Sequence, residues 1–165
     1  MDITIIVASE GKNLELANQL SQFVHDKGNT STVLNLCQTD LPLYTPAQEK
    51  KEVPDQAHEL NRELKESKAF IFLAPEYNGG IPPVMINAIT WISRCGKDWR
   101  EAFNNKHALI GTHSGGGGTH VISAMRMQLS FIGINVLGRS LITNYNKPLN
   151  EDSAHYCLDS LLKLI

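Results

Sequence analysis

The chain has 165 residues, about one domain's worth, and 42% of them are hydrophobic against 19% charged, which excludes a disordered chain. Its 15 Lys and Arg face 17 Asp and Glu, a formal net charge of −2. That balance excludes both the basic excess with which nucleic-acid binders displace counterions and the strong acidity of a carrier that steers by net charge.

At this length folding hides roughly 70% of the unfolded chain's surface, so one core suffices without staples. The three cysteines, Cys37, Cys95 and Cys157, cannot all pair, and none lies in a C-x-x-C. No disulfide framework or metal site is expected, and a reducing compartment fits. Asp2 stands where a signal peptide carries Lys or Arg, and no stretch approaches the ~20 apolar residues of a membrane span. The expectation is a soluble, cytoplasmic protein, residues 1–165 forming one domain, with no membrane and no nucleic acid as partner.

The first apolar run is Ile3 to Ala8, rich in β-branched residues, and a helical pattern with Ala17, Leu20 and Val24 on one face follows over about Leu14 to Lys27. Thr32 to Leu36 reads as a second strand. The loop from Cys37 to Pro54 is long and holds Pro42, Pro46 and Pro54, which favours a functional or partner-facing role over a linker. Within it, Glu49 to Glu52 reads as a solvated face. Asp55 to Ser67 reads as a polar surface helix with few apolar contacts, Leu60 and Leu64. Ala69 to Ala74 is a third strand. A helix then opens at Pro82-Pro83, where proline suits the first turn, and presents Met85, Ala88, Ile89 and Ile92. His107 to Gly111 is a fourth strand, and a helix after Gly118 carries Ile122, Met125, Leu129 and Ile132. Asn135 to Gly138 is a weak fifth strand, and a last helix covers Glu151 to Leu164.

Continuous apolar runs, rather than alternating ones, mark strands buried on both faces, as in parallel sheets. Strand and helix alternating in this way predict an α/β fold of βαβ units with right-handed crossovers. Five such units make a three-layer, doubly wound sandwich around a five-stranded parallel sheet, with the flavodoxin-like strand order 2-1-3-4-5.

In such a sheet ligands bind beyond the carboxyl ends of the strands. Three loops meet that condition. After the first strand come Ser9, Glu10, Gly11, Lys12 and Asn13, opening a helix. A helix N-terminus carries about half a positive charge and free N–H groups, which suits a phosphate. After the third strand come Pro75, Glu76, Tyr77, Asn78 and Gly79, where the tyrosine can cover a ring. After the fourth come His113, Ser114 and the four glycines Gly115 to Gly118, a backbone that a flat or anionic ligand can approach closely. The plainer readings are a capped helix start, a tight turn and a flexible loop.

The segment A-P-E-Y-N-G-G-I-P-P-V-M-I-N-A-I-T-W-I-S-R, Ala74 to Arg94, resembles the signature of the NAD(P)H-dependent FMN reductase family, which includes azo-dye, quinone and chromate reductases. H-S-G-G-G-G at His113 to Gly118, followed by a helix with Met125, Arg126 and Gln128, is similar to that family's second flavin loop, and Asp40 to Tyr44 is similar to its loop after the second strand. The resemblance implies non-covalent FMN, NADPH or NADH as co-substrate, a small-molecule electron acceptor and a homodimer or homotetramer. Carried over by position, it implies phosphate contacts from Ser9 and Asn13, with Gly11 and Lys12 beside them. Pro75, Glu76, Tyr77, Asn78 and Gly79 match the loop on the isoalloxazine side, and Ser114, Gly115, Gly116 and Gly117 the loop on the pyrimidine side. The first loop departs from the family pattern: it is shorter and has Lys12 in place of an arginine. The resemblance further implies that hydride would pass from nicotinamide to flavin to acceptor, with no protein acid or base demanded. Tyr44, from this subunit or a neighbour, and Tyr77 would shape the acceptor pocket.

Three other functions compete for the same residues. A flavodoxin-fold binding module with a weakened flavin site is the main alternative. A serine hydrolase using Ser114 with His113 or His120 lacks the G-x-S-x-G elbow. An electron carrier would have an acidic surface. Met85, Met125 and Met127 read as core, His113 and His120 as structural, and His25, His58 and His155 as solvated.

Overall fold

The computed structural model describes residues 2–165. In chain order the elements are β1 (Ile3–Val7), α1 (Lys12–Asp26), β2 (Ser31–Asn35), a 3-10 turn (Leu36–Gln38), α2 (Pro46–Glu49), α3 (Asp55–Glu66), β3 (Ala69–Leu73), α4 (Pro83–Ile92), β4 (His107–His113), α5 (Thr119–Phe131), β5 (Asn135–Val136), β6 (Leu141–Thr143) and α6 (Glu151–Leu162). The strands run in the order β2-β1-β3-β4-β5, all pairs parallel, with β6 also on β4. This is the expected doubly wound, flavodoxin-like architecture.

Strand periodicity builds the three layers. Ile3, Ile5 and Val7 of β1, Ala69, Ile71 and Leu73 of β3, and Leu109 of β4 point into one core, closed by Leu16, Leu20 and Val24 of α1 and Leu158 and Leu161 of α6. The intervening residues Ile6, Phe70, Phe72, Ala108 and Ile110 point the other way, onto α3, α4 and α5. Side chains of period 2 need apolar partners on both faces, so these strands carry no polar stripe.

Five expectations are corrected. The fifth strand is two short pieces on the β4 edge away from β3: Asn135–Val136 pairs with His107 and Ala108, and Leu141–Thr143 pairs with Gly111 to His113. Arg126 of α5 donates to the carbonyls of Leu137 (2.7 Å) and Gly138 (3.3 Å), satisfying the backbone where the strand breaks. The helix at Asp55 is no loose surface element, because Ala57, Leu60 and Leu64 are all buried. The loop from Cys37 to Pro54 holds α2, capped by the Thr45 side chain, and Glu49 accepts a hydrogen bond from the Tyr44 hydroxyl at 2.6 Å rather than lying free in solvent. Met85 and Met125 are core, but Met127 is 74% exposed, on the face of α5 opposite the buried Met125 and Leu129. His155 is half-buried against the Phe23 ring.

That same loop is strapped to α4. The buried Trp91 indole donates to the Pro42 carbonyl at 2.6 Å, and the Asn87 amide accepts from the Tyr44 N–H at 2.8 Å while donating to Pro42. No helix among the described residues is long and apolar enough to cross a membrane.

Candidate functional site

The loops after β1, β3 and β4 meet at the carboxyl edge of the sheet and enclose a cleft of about 400 Å³. Ser9, Gly11, Lys12 and Asn13 line it from the first loop, with Glu10 among them. Pro75, Glu76 and Tyr77 line it from the second, Ser114 and Gly115 from the third. Asn78, Gly79, Gly116 and Gly117 lie on the same loops but outside the lining. Tyr44 is not part of the cleft; it packs edge-on against Trp91, with Arg94 over its ring.

The first loop leaves a helix end open. Gly11 stands before α1 at φ 67, a left-handed value that suits glycine, and no side chain caps the helix. The first helical bond is Glu15 N–H to the Gly11 carbonyl at 2.9 Å, so the N–H groups of Lys12, Asn13 and Leu14 precede the ladder. They point where an anion is favoured. Ser9 is buried beside them. Lys12 is exposed and paired with Glu15 at 2.7 Å, and that carboxylate holds its ammonium above the ordinary lysine range.

Asn13 does something the sequence did not disclose. It is 3% exposed, its Oδ1 accepts from the His113 N–H at 2.7 Å, and its Nδ2 donates to the His113 carbonyl at 3.0 Å. It ties the first loop to the end of β4.

Glu76 likewise serves the frame. Its Oε2 accepts from the N–H groups of His120 (3.0 Å) and Val121 (3.1 Å), placing a carboxylate on the N-terminus of α5. Before that helix Gly118 stands at φ 68, and a Cβ there would meet Thr112 Cγ2 at 2.7 Å, so the position demands glycine. Of the two helix ends beside the cleft, one is therefore closed by an internal anion and the other is open.

Tyr77 is 52% exposed at the base of a tight turn in which Asn78 (φ 51) and Gly79 (φ 74) take the left-handed conformations of a type I′ turn. Gly115, Gly116 and Gly117 are exposed, and a Cβ at any of them would meet nothing within 4 Å. Nothing within the chain requires glycine there, which leaves bare backbone for an external surface. Ser114 Oγ accepts from the Gly116 N–H at 3.2 Å, whereas the His113 ring bonds Thr143, so no serine–histidine pair forms.

Of the lining residues, Tyr145 escaped the sequence reading, and His113, though placed in the loop after the fourth strand, was not read as a ligand contact. His113 read as structural, and Tyr145 comes from the turn after β6, a strand whose pairing was unforeseen. An open helix end for phosphate, a bare glycine backbone and an exposed aromatic fit a flat, phosphate-tailed ligand such as FMN.

Fold and cleft together define a flavodoxin-like α/β protein with an open cleft at the carboxyl edge of its sheet. Residues 1–147 match the NADPH-dependent FMN reductase family, and the chain belongs to that family: it is an NAD(P)H-dependent flavoprotein oxidoreductase that uses FMN. An FMN-dependent NADH:quinone oxidoreductase of Shewanella loihica is 26% identical, the match covering 97% of this chain and 94% of that one. A quinone reductase of Pseudomonas putida is 29% identical over 79% of this chain and 70% of its own. Among solved structures, the flavoenzyme NAD(P)H:(acceptor) oxidoreductase FerB of Paracoccus denitrificans superposes with a TM-score of 0.77 at 19% identity, covering 99% of this chain and 94% of that one.

Proposed function

We propose that the cleft holds FMN and that the protein passes reducing equivalents from NAD(P)H to a small quinone. The open N-terminus of α1, beside an α5 end already closed by Glu76, is the observation that carries this reading: it leaves one anion site in the cleft, where a phosphate would bind. When bound, the flavin supplies the chemistry, taking a hydride from the nicotinamide and giving it up to the acceptor.

The chain's residues bind and orient. The Lys12, Asn13 and Leu14 N–H groups and Ser9 would hold the phosphate. Asn13 would act mainly by fixing that loop to β4, and Glu76 by fixing the Tyr77 loop to α5. The backbone of Gly115 to Gly117, with no side chains in the way, would face the ring, its N–H groups favouring negative charge on the reduced flavin. Tyr77 and the Asn78-Gly79 turn would border the face where nicotinamide and acceptor alternate. The quinone class follows the named relatives in Shewanella and Pseudomonas. A homodimer or homotetramer, in the cytoplasm, completes the reading.

The test is a titration of the purified protein with FMN, followed by absorbance between about 350 and 500 nm, and a steady-state assay with NADH or NADPH and benzoquinone. Saturable binding with NAD(P)H-dependent quinone loss is expected. A protein that ignores FMN would sink the reading.

A further inference from the structure

The polarity of the hydrogen bonds at the end of β4 leaves one ring nitrogen of His113 without a partner. Thr143 has a single hydroxyl proton, and Oγ1 donates it to the Thr112 carbonyl at 3.1 Å, a group that can only accept. The contact of 3.1 Å between Thr143 Oγ1 and His113 Nδ1 must then run the other way, with Nδ1–H as donor. Neutral His113 is thereby held as the Nδ1–H tautomer, and its Nε2 presents a bare lone pair. That atom is buried and meets no donor among the described residues. Among the residues lining the cleft, it is the one buried side-chain polar atom in that state.

Its surroundings can open. Tyr145 stands edge-on to the His113 ring, centroids 5.2 Å apart, and is itself 76% exposed on the turn between Asn144 and Lys147. Exposed side chains change rotamer within nanoseconds, so Tyr145 is a movable cover and not a fixed wall. The His113 backbone is held by Asn13 of the first loop, and Ser114 and the glycines follow it directly. The backbone of His113 thus sits at the junction of the phosphate end and the glycine end of the cleft, and its ring lies beside Thr143 and Tyr145.

A bare imidazole nitrogen repels phosphate oxygens and flavin carbonyls, which are acceptors like itself; it takes an O–H or N–H. In FMN the segment between phosphate and ring is a polyol. We propose that His113 Nε2 accepts a hydrogen bond from a hydroxyl of that polyol once Tyr145 moves aside, which makes His113 a ligand-contacting residue of this chain. The inference rests on the FMN reading above.

Binding measured by flavin fluorescence compares FMN, riboflavin, which lacks the phosphate, and lumiflavin, which lacks the polyol. The proteins are the natural chain, His113→Asn and His113→Gln, with melting curves establishing that the variants are folded. Asparagine keeps a donor toward Thr143 and removes the distal acceptor; glutamine can return an acceptor to that place. The expected result is that His113→Asn weakens FMN and riboflavin alike, by about three- to ten-fold, the range of one neutral hydrogen bond. Lumiflavin should bind unchanged, and His113→Gln should recover much of the loss. A loss confined to FMN would make His113 a phosphate partner, and an equal loss for all three flavins would make it a structural or ring-contacting residue. Either result overturns the assignment, as does no change in any of them. If the natural chain binds neither FMN nor riboflavin, the FMN reading itself falls and takes this one with it.

Discussion

The Asn13 side chain and the His113 peptide, 100 residues apart in the chain, bond each other in both directions, at 2.7 and 3.0 Å. The start of α1 and the end of β4 are thereby one rigid unit, and the open helix end that faces the cleft is held against the strand that leads into the glycine loop.

Asn13→Ala should therefore cost stability as well as ligand affinity. It removes two buried hydrogen bonds and strands a backbone donor and acceptor, a loss of about 2 kcal/mol. Urea unfolding of the ligand-free protein measures it. A midpoint unchanged by the substitution would show that the pair carries no net stability and that Asn13 is free to serve a ligand.

Glu76→Ala uncaps α5. Two N–H groups lose their carboxylate, and the expected cost is about 1 kcal/mol, read as a lower melting temperature. Glu76→Gln keeps an amide oxygen as acceptor and should cost less than half of that. Equal losses would mean that the negative charge, and not the hydrogen bonds, is what α5 requires.

Gly115→Ala separates fold from ligand. The backbone there needs no left-handed conformation and a Cβ meets nothing within 4 Å, so stability should stay within about 0.5 kcal/mol of the natural chain. FMN affinity should fall several-fold, because the new methyl occupies the space left for the ring. Parallel thermal melts and flavin titrations decide it, and unaltered affinity would mean that the ring does not lie against this backbone.

Asp2 gives the acid limb of stability a specific contributor. Its carboxylate accepts from Lys68 Nζ at 2.7 Å and from the Thr30 N–H (3.0 Å) and hydroxyl (2.8 Å), and these bonds, the Lys68 one first, hold its pKa far below the ordinary 3.8. A depressed folded pKa means stability that is complete above 3.8 and is lost as the pH falls below it toward the folded value. In Asp2→Asn the decline of the urea midpoint below that pH should be shallower. Identical acid limbs in the two proteins would remove Asp2 from the account.

Much of the molecule was legible from local pattern. Runs such as Ile3 to Ala8 and Ala69 to Ala74 can be buried on both faces only in the middle of a parallel sheet, and both are. Three turn-forming segments at strand ends, Ser9 to Asn13, Pro75 to Gly79 and Ser114 to Gly118, had to lie on one edge once the strands were parallel. That geometry follows from chain direction alone, which is why most of the candidate site could be named from the sequence.

What the tertiary structure decided is which atoms those residues spend on one another. Glu76 and Asn13 match ligand positions in a motif, yet their polar atoms reach a helix end and a strand peptide far away in the chain, and no local spacing encodes such a contact. The broken fifth strand, repaired by Arg126, brings Tyr145 to the cleft for the same reason: its pairing with β4 depends on packing across distant segments. The order of apolar and polar residues prescribes the layers, because burial is a property each residue carries with it. Hydrogen-bond partners are chosen only when the folded backbone sets donors and acceptors within reach, so the vacant nitrogen of His113 comes into view only there.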